Sequence, residues 1–82
     1  MVELDDSELE LAQNLINDCG AGLYEVEEIY REFWEAIPHR TTFGRRFKKA
    51  VIDGKLRGIR WMHRSSENHQ VYELLGEHRE PL

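Results

Sequence analysis

The hydrophobic period of this chain changes once, at Gly54. Before that glycine, apolar residues recur at the three-and-four spacing of amphipathic helices. After it they alternate, as in a half-buried strand. The order is therefore helices first and a hairpin last, an α+β class. With 82 residues there is room for one domain with a modest core. Apolar residues at 40% and charged residues at 33% suit a folded rather than a disordered chain. Cys19 is the single cysteine, so no intrachain disulfide can form, which fits a reducing compartment. The acidic start, Met-Val-Glu-Leu-Asp-Asp, reads as neither a signal peptide nor a membrane span. A cytoplasmic protein with no membrane contact is expected.

Ser7-Glu8-Leu9-Glu10 has the form of a capping box. Leu9, Ala12, Leu15, Ile16 and Cys19 follow at helical spacing until Gly20 and Gly22 stop the pattern. The spacing predicts a first helix over 7–19. Leu23, Val26, Ile29, Tyr30, Phe33, Trp34 and Ile37 form a second apolar stripe, with Glu25, Glu27, Glu28, Glu32 and Glu35 between them. Pro38 ends it, which predicts a second helix over 24–36. Thr41 or Thr42 can cap a third helix over 42–53, whose inner side is Phe43, Phe47, Ala50 and Val51, with Gly54 at its end.

Beyond Gly54, Ile59 and Trp61 alternate with Arg60 and Met62, and Val71 and Leu74 lie in a second short run. Ser65-Ser66-Glu67-Asn68 reads as the hairpin loop between them. A four-residue loop sets Arg64 opposite His69, Met62 opposite Val71, Trp61 opposite Tyr72 and Arg60 opposite Glu73. Ile59, Trp61, Tyr72 and Leu74 then face the core. Met62 and Val71 remain outside as a small apolar patch, and a slip of one residue would exchange the faces. The ordered part is expected over about 6–75, with a loose acidic N-terminus and a loose tail over 76–82.

Charge is sorted along the chain. Residues 1–38 carry a net −10, residues 39–64 a net +8 and residues 65–82 a net −3, against −5 for the whole. A basic helix and hairpin on an acidic scaffold form an electrostatic footprint for nucleic acid.

Helix, helix, short turn, basic helix and hairpin, over about residues 6–75, resemble a winged helix-turn-helix domain. The stretch from Leu23 to Leu56 would be the helix-turn-helix, and Leu56 to Leu75 the wing. That family carries a short strand between its first two helices, for which only Cys19 to Leu23 is available here. Ile29-Tyr30-Arg31-Glu32-Phe33-Trp34, Thr42-Phe43-Gly44-Arg45-Arg46-Phe47 and Gly58-Ile59-Arg60 are also similar to the small C-terminal winged-helix domain of phage and plasmid primase-helicases. This second likeness supports the fold and implies no specific activity.

The resemblance implies double-stranded DNA as partner, met by the third helix in the major groove. Arg45 and Lys49 lie opposite the core side and are expected to read bases, flanked by Thr42 and Lys48, with Arg46 also counted among the contact residues. Arg40 and the backbone N–H groups of Thr41, Thr42 and Phe43 mark the helix start, where phosphate is favoured. Arg57, Arg60 and Arg64 on the hairpin would follow the adjacent backbone or enter the minor groove. Such a chain would be a small transcriptional or mobile-element accessory regulator.

Each arginine or lysine taken singly can be merely solvated; the cluster carries the expectation. The alternative is a protein-interaction module that keeps the fold and uses its acidic helices or its hairpin, including as an accessory protein acting on a host protein. The acidic face of the first two helices could be simply solvated, bind a basic protein, or pair two copies as a homodimer. His39, His63, His69 and His78 show no ligand spacing, so no metal or cofactor is expected. Without a phosphate loop, nucleophile elbow or His-Glu-x-x-His run, neither is an enzyme.

Overall fold

The computed structural model describes residues 3–67 and 69–76. Asn68 of the expected loop and the expected tail from residue 77 lie outside these residues. Three α-helices and a three-stranded antiparallel sheet follow the order α1 (Asp6–Asp18), β1 (Gly22–Glu25), α2 (Val26–Tyr30), a 3-10 segment (Arg31–Ala36), α3 (Arg40–Ile52), β2 (Ile59–Arg64) and β3 (Gln70–Leu74).

The capping box of α1 lies two residues before the expected one. Asp5 Oδ1 accepts from the Glu8 N–H at 2.8 Å, and Glu8 Oε1 accepts from the Asp5 N–H at 2.9 Å. Asp is as good a cap as Ser, and the earlier start still turns Ala12, Leu15 and Ile16 into the core. Leu4 also enters the core at 5% exposure, so packing begins before residue 6.

The predicted second helix over 24–36 is split. Tyr24 and Glu25 belong to β1, where Tyr24 pairs with Tyr72 and Glu25 with Val71. The Glu25 N–H donates to Glu28 Oε1 at 2.8 Å and starts α2 one residue later. Arg31, at φ 55°, ends it after five residues, and the chain continues as 3-10 turns. This break undoes the expected stripe. Tyr30 is buried at 1% exposure and Trp34 is half-buried, but Phe33 turns out to 48% and Leu23, on β1, to 60%.

Helix α3 begins two residues before the expected Thr42. His39 sits in the left-handed region at φ 53°, and no side chain caps the helix, so Thr41 and Thr42 are first-turn residues rather than caps. Its end follows expectation. Gly54, at φ 79°, donates its N–H to Val51 O, and the Lys55 N–H reaches Ala50 O, which closes the last carbonyls.

The sheet order is β1-β3-β2. Ile59↔Leu74, Arg60↔Glu73 and Trp61↔Tyr72 pair as expected, but a bulge at Met62 then shifts the partners to His63↔Val71 and Arg64↔Gln70. Met62 therefore does not face Val71, and the expected patch does not form. His69 leaves the ladder to meet Glu25. Trp61, expected in the core, is 37% exposed: Ile59 on the same strand is buried, but the Trp61 ring lies against Lys48 and its Nε1–H meets Gln70.

The core is a chain of rings. Tyr30 meets Phe43 edge-on at 5.3 Å and Phe47 at 5.9 Å, and Phe47 meets Tyr72 at 5.2 Å. Ile16, Ile29, Leu56, Ile59 and Leu74 complete it. Phe47 thereby ties α3 to the middle strand and sets the angle at which the outer side of α3 meets the hairpin.

Candidate nucleic-acid interface

With Phe43, Phe47, Ala50 and Val51 turned inward, α3 carries Arg40, Thr41, Gly44, Arg45 and Lys48 along one flank. Arg64 of β2 and His69, Gln70 and Tyr72 of the returning chain stand across from them. Glu25, Val26, Glu27 and Trp34 complete a shallow groove of about 500 Å³. Among the described residues Arg40, Arg45, Lys48 and Arg64 form no ion pair. Lys48 Nζ lies 4.5 Å from the centre of the Trp61 ring, and Trp61 Nε1–H donates to Gln70 Oε1 at 2.7 Å. That stack holds the ammonium at the rim. The first turn of α3 opens at the same end. The Phe43 N–H, expected to be available there, is taken by His39 O at 2.9 Å, whereas no side chain caps the helix start. The uncapped N–H groups and the helix dipole favour an anion at this end.

The remaining basic side chains are drawn elsewhere. Lys49 and Arg45 do not act as a pair. Lys49 Nζ lies 3.0 Å from Asp53 and 3.8 Å from Glu3. Arg46 Nη1 lies 3.6 Å from Glu8, with its guanidinium 5.9 Å from the Phe43 ring centre. Lys55 Nζ bonds Glu3 at 2.8 Å. Arg60 grips Glu73 through Nη2 at 2.6 Å and Nε at 2.7 Å. Arg57 is exposed in the connection before β2, and its backbone N–H and carbonyl are held by the Gln13 side chain at 2.8 and 3.0 Å. Thr42 is exposed but does not line the groove. Of the ten expected contact residues, the groove thus assembles Arg40, Thr41, Arg45, Lys48 and Arg64, and leaves out Thr42, Arg46, Lys49, Arg57 and Arg60.

One constellation in the groove has no signature in sequence. Glu25 Oε1 accepts from His69 Nδ1 at 2.7 Å, and ligand atoms of Glu25, Glu27 and His69 all lie within 4.8 Å of one another. The hydrogen bond and charge of Glu25 hold His69 above the ordinary histidine range, so it carries a proton more readily. These donors come from positions 44 residues apart, and only the β1–β3 pairing brings them together. The groove is therefore basic along α3 and Arg64 and acidic at the start of α2.

A second, smaller cleft of about 190 Å³ lies between Leu11, Ile37, Pro38 and Phe43. No helix among the described residues is long and apolar enough to cross a membrane. Comparison with known proteins finds no matching family, no matching curated sequence and no matching solved structure.

Proposed function

We propose that the chain binds double-stranded DNA as a small winged-helix domain, with α3 in the major groove and the β2–β3 hairpin as wing. The observation that carries this reading is the grouping of Arg40, Arg45, Lys48 and Arg64, without acidic partners among the described residues, around one groove open at the uncapped start of α3. The order β1-β3-β2, with β1 between α1 and α2, agrees with the winged arrangement. Arg45 would reach base edges, since arginine can meet guanine with two hydrogen bonds. Arg40, Lys48, Arg64 and the first-turn N–H groups would hold phosphates and set the register. The biological setting proposed is that of a small transcriptional or mobile-element regulator.

Fluorescence anisotropy with a random-sequence duplex, at low and then physiological salt, tests this. Binding should be salt-sensitive and should vanish when Arg45, Lys48 and Arg64 are reversed to Glu. Arg45→Ala should flatten preference among sequences, and Arg64→Ala should weaken all duplexes about equally. Absence of binding at low salt would defeat the proposal.

The alternative is an interaction module for a protein segment. Glu25 and Glu27 line the same groove as Arg40 and Arg64, so the groove could take an extended peptide that carries both charges. A flat salt response with DNA, together with capture of such a peptide, would favour it.

A further inference from the structure

The cations of α3 and its following turn divide by partner, and the division follows the N-terminal segment. Glu3 sets one carboxylate against two ammonium groups, Oε1 to Lys55 at 2.8 Å and Oε2 to Lys49 at 3.8 Å. Asp53, the C-cap residue one turn on, holds Lys49 at 3.0 Å. Glu3 is not a passing neighbour. The next residue, Leu4, is buried in the core, and Asp5 is fastened as the cap of α1. The fold thus delivers this carboxylate to the two lysines. A carboxylate shared by two ammonium groups takes up the donors that a backbone phosphate would need. We propose that Glu3 and Asp53 mask Lys49 and Lys55, so that nucleic acid meets α3 from the groove flank alone.

This inference rests on the DNA-binding reading and adds what limits the footprint. An ammonium already joined to a carboxylate offers phosphate no net charge and releases no counterion on contact. Side-chain hydrogen bonds, and then opposing charges, lower the carboxyl of Glu3 and raise the ammonium groups of Lys49 and Lys55, which agrees with mutual neutralisation. Three groove cations, Arg40, Lys48 and Arg64, remain to meet phosphate. At about 0.9 per contact, the plot of log affinity against log salt should fall with a slope of about −2.7 for the unaltered chain.

The test is the salt dependence of duplex binding for the unaltered chain, for Glu3→Gln/Asp53→Asn and for Glu32→Gln/Glu35→Gln. Both variants add the same charge, but Glu32 and Glu35 form no ion pair among the described residues. Circular dichroism checks that each folds. Unmasking should steepen the slope by about 1.8, so that raising salt from 50 to 200 mM costs the first variant about tenfold more affinity than the unaltered chain. The control variant should keep the original slope. If the unaltered chain binds and both variants share its slope, the masking proposal is overturned and the DNA reading stands. Binding by the unmasked variant alone would support both. If none of the three binds, both fall.

Discussion

Phe47 is the residue through which the candidate interface is fastened to the sheet, and its replacement gives a quantitative test. Its ring is fully buried and stands edge-on to Tyr72 at 5.2 Å and to Tyr30 at 5.9 Å. Truncation to Ala would cost about 3–5 kcal/mol. A chain of this length has a total stability of roughly 4–12 kcal/mol, so that variant risks unfolding outright. Phe47→Leu keeps most of the apolar volume and removes the two edge-on pairs, at about 0.5–1.5 kcal/mol each, which predicts a loss of about 1–3 kcal/mol. With a urea slope near the low end for small proteins, about 1 kcal/mol/M, the midpoint should fall by about 1–3 M. Tyr72→Leu and the double variant complete a cycle. The coupling between the two rings should be about 0.5–1.5 kcal/mol, and the double loss should fall short of the sum of the single losses. Urea titrations followed by far-ultraviolet circular dichroism read all four. A coupling near zero, or a Phe47→Leu midpoint equal to that of the unaltered chain, would refute the view that this ring joins α3 to β3.

The hydrogen bond from His69 to Glu25 predicts a pH response. Because the folded chain raises the histidine above its unfolded value, the contribution of the pair is fully present below about pH 6.5 and is lost as pH climbs through the raised value. A proton nuclear magnetic resonance titration should show the elevated value, and Glu25→Gln should return it toward the ordinary range; an unchanged titration in that variant would exclude the pairing. Two glycines of the α3 region should respond in opposite directions. Gly54→Ala forces an alanine to φ 79° and should cost about 1 kcal/mol, or about 4–8 °C in melting temperature. Gly44→Ala places its methyl in open space within the helix and should stabilise by up to about 1 kcal/mol, while narrowing the groove that Gly44 lines. Thermal melts of the two variants check the contrast.

Local pattern carried α1, α3 and the first three rungs of the hairpin, because each depends on neighbours a few residues away. What it missed depends on distant partners. Tyr24 and Glu25 have helical-looking neighbours, yet they become strand because β3 offers them a ladder. The break at Arg31 has no proline or glycine to announce it, and it turned Phe33 outward against its spacing. In the candidate site, helical periodicity placed Arg45 and Lys49 opposite the core, and both are exposed. Periodicity alone does not separate Arg45 from Lys49, which is held by Asp53 four residues on at 3.0 Å and by Glu3, 46 positions earlier, at 3.8 Å. Nor could it bring His69 to Glu25, which requires the closed sheet.

The middle strand of the sheet is the last in sequence among the described residues. β1 and β2 pair with β3 and not with each other. During synthesis, which proceeds from the N-terminus, both must therefore wait until residues 70–74 have emerged. Until then the ring of Phe47 lacks Tyr72, and α3 has no sheet to rest on. A nascent chain stalled just before Gln70 would hold every cation of the groove but no frame to aim them. Synthesis through Leu74 is thus the condition for Arg40, Arg45, Lys48 and Arg64 to share one frame.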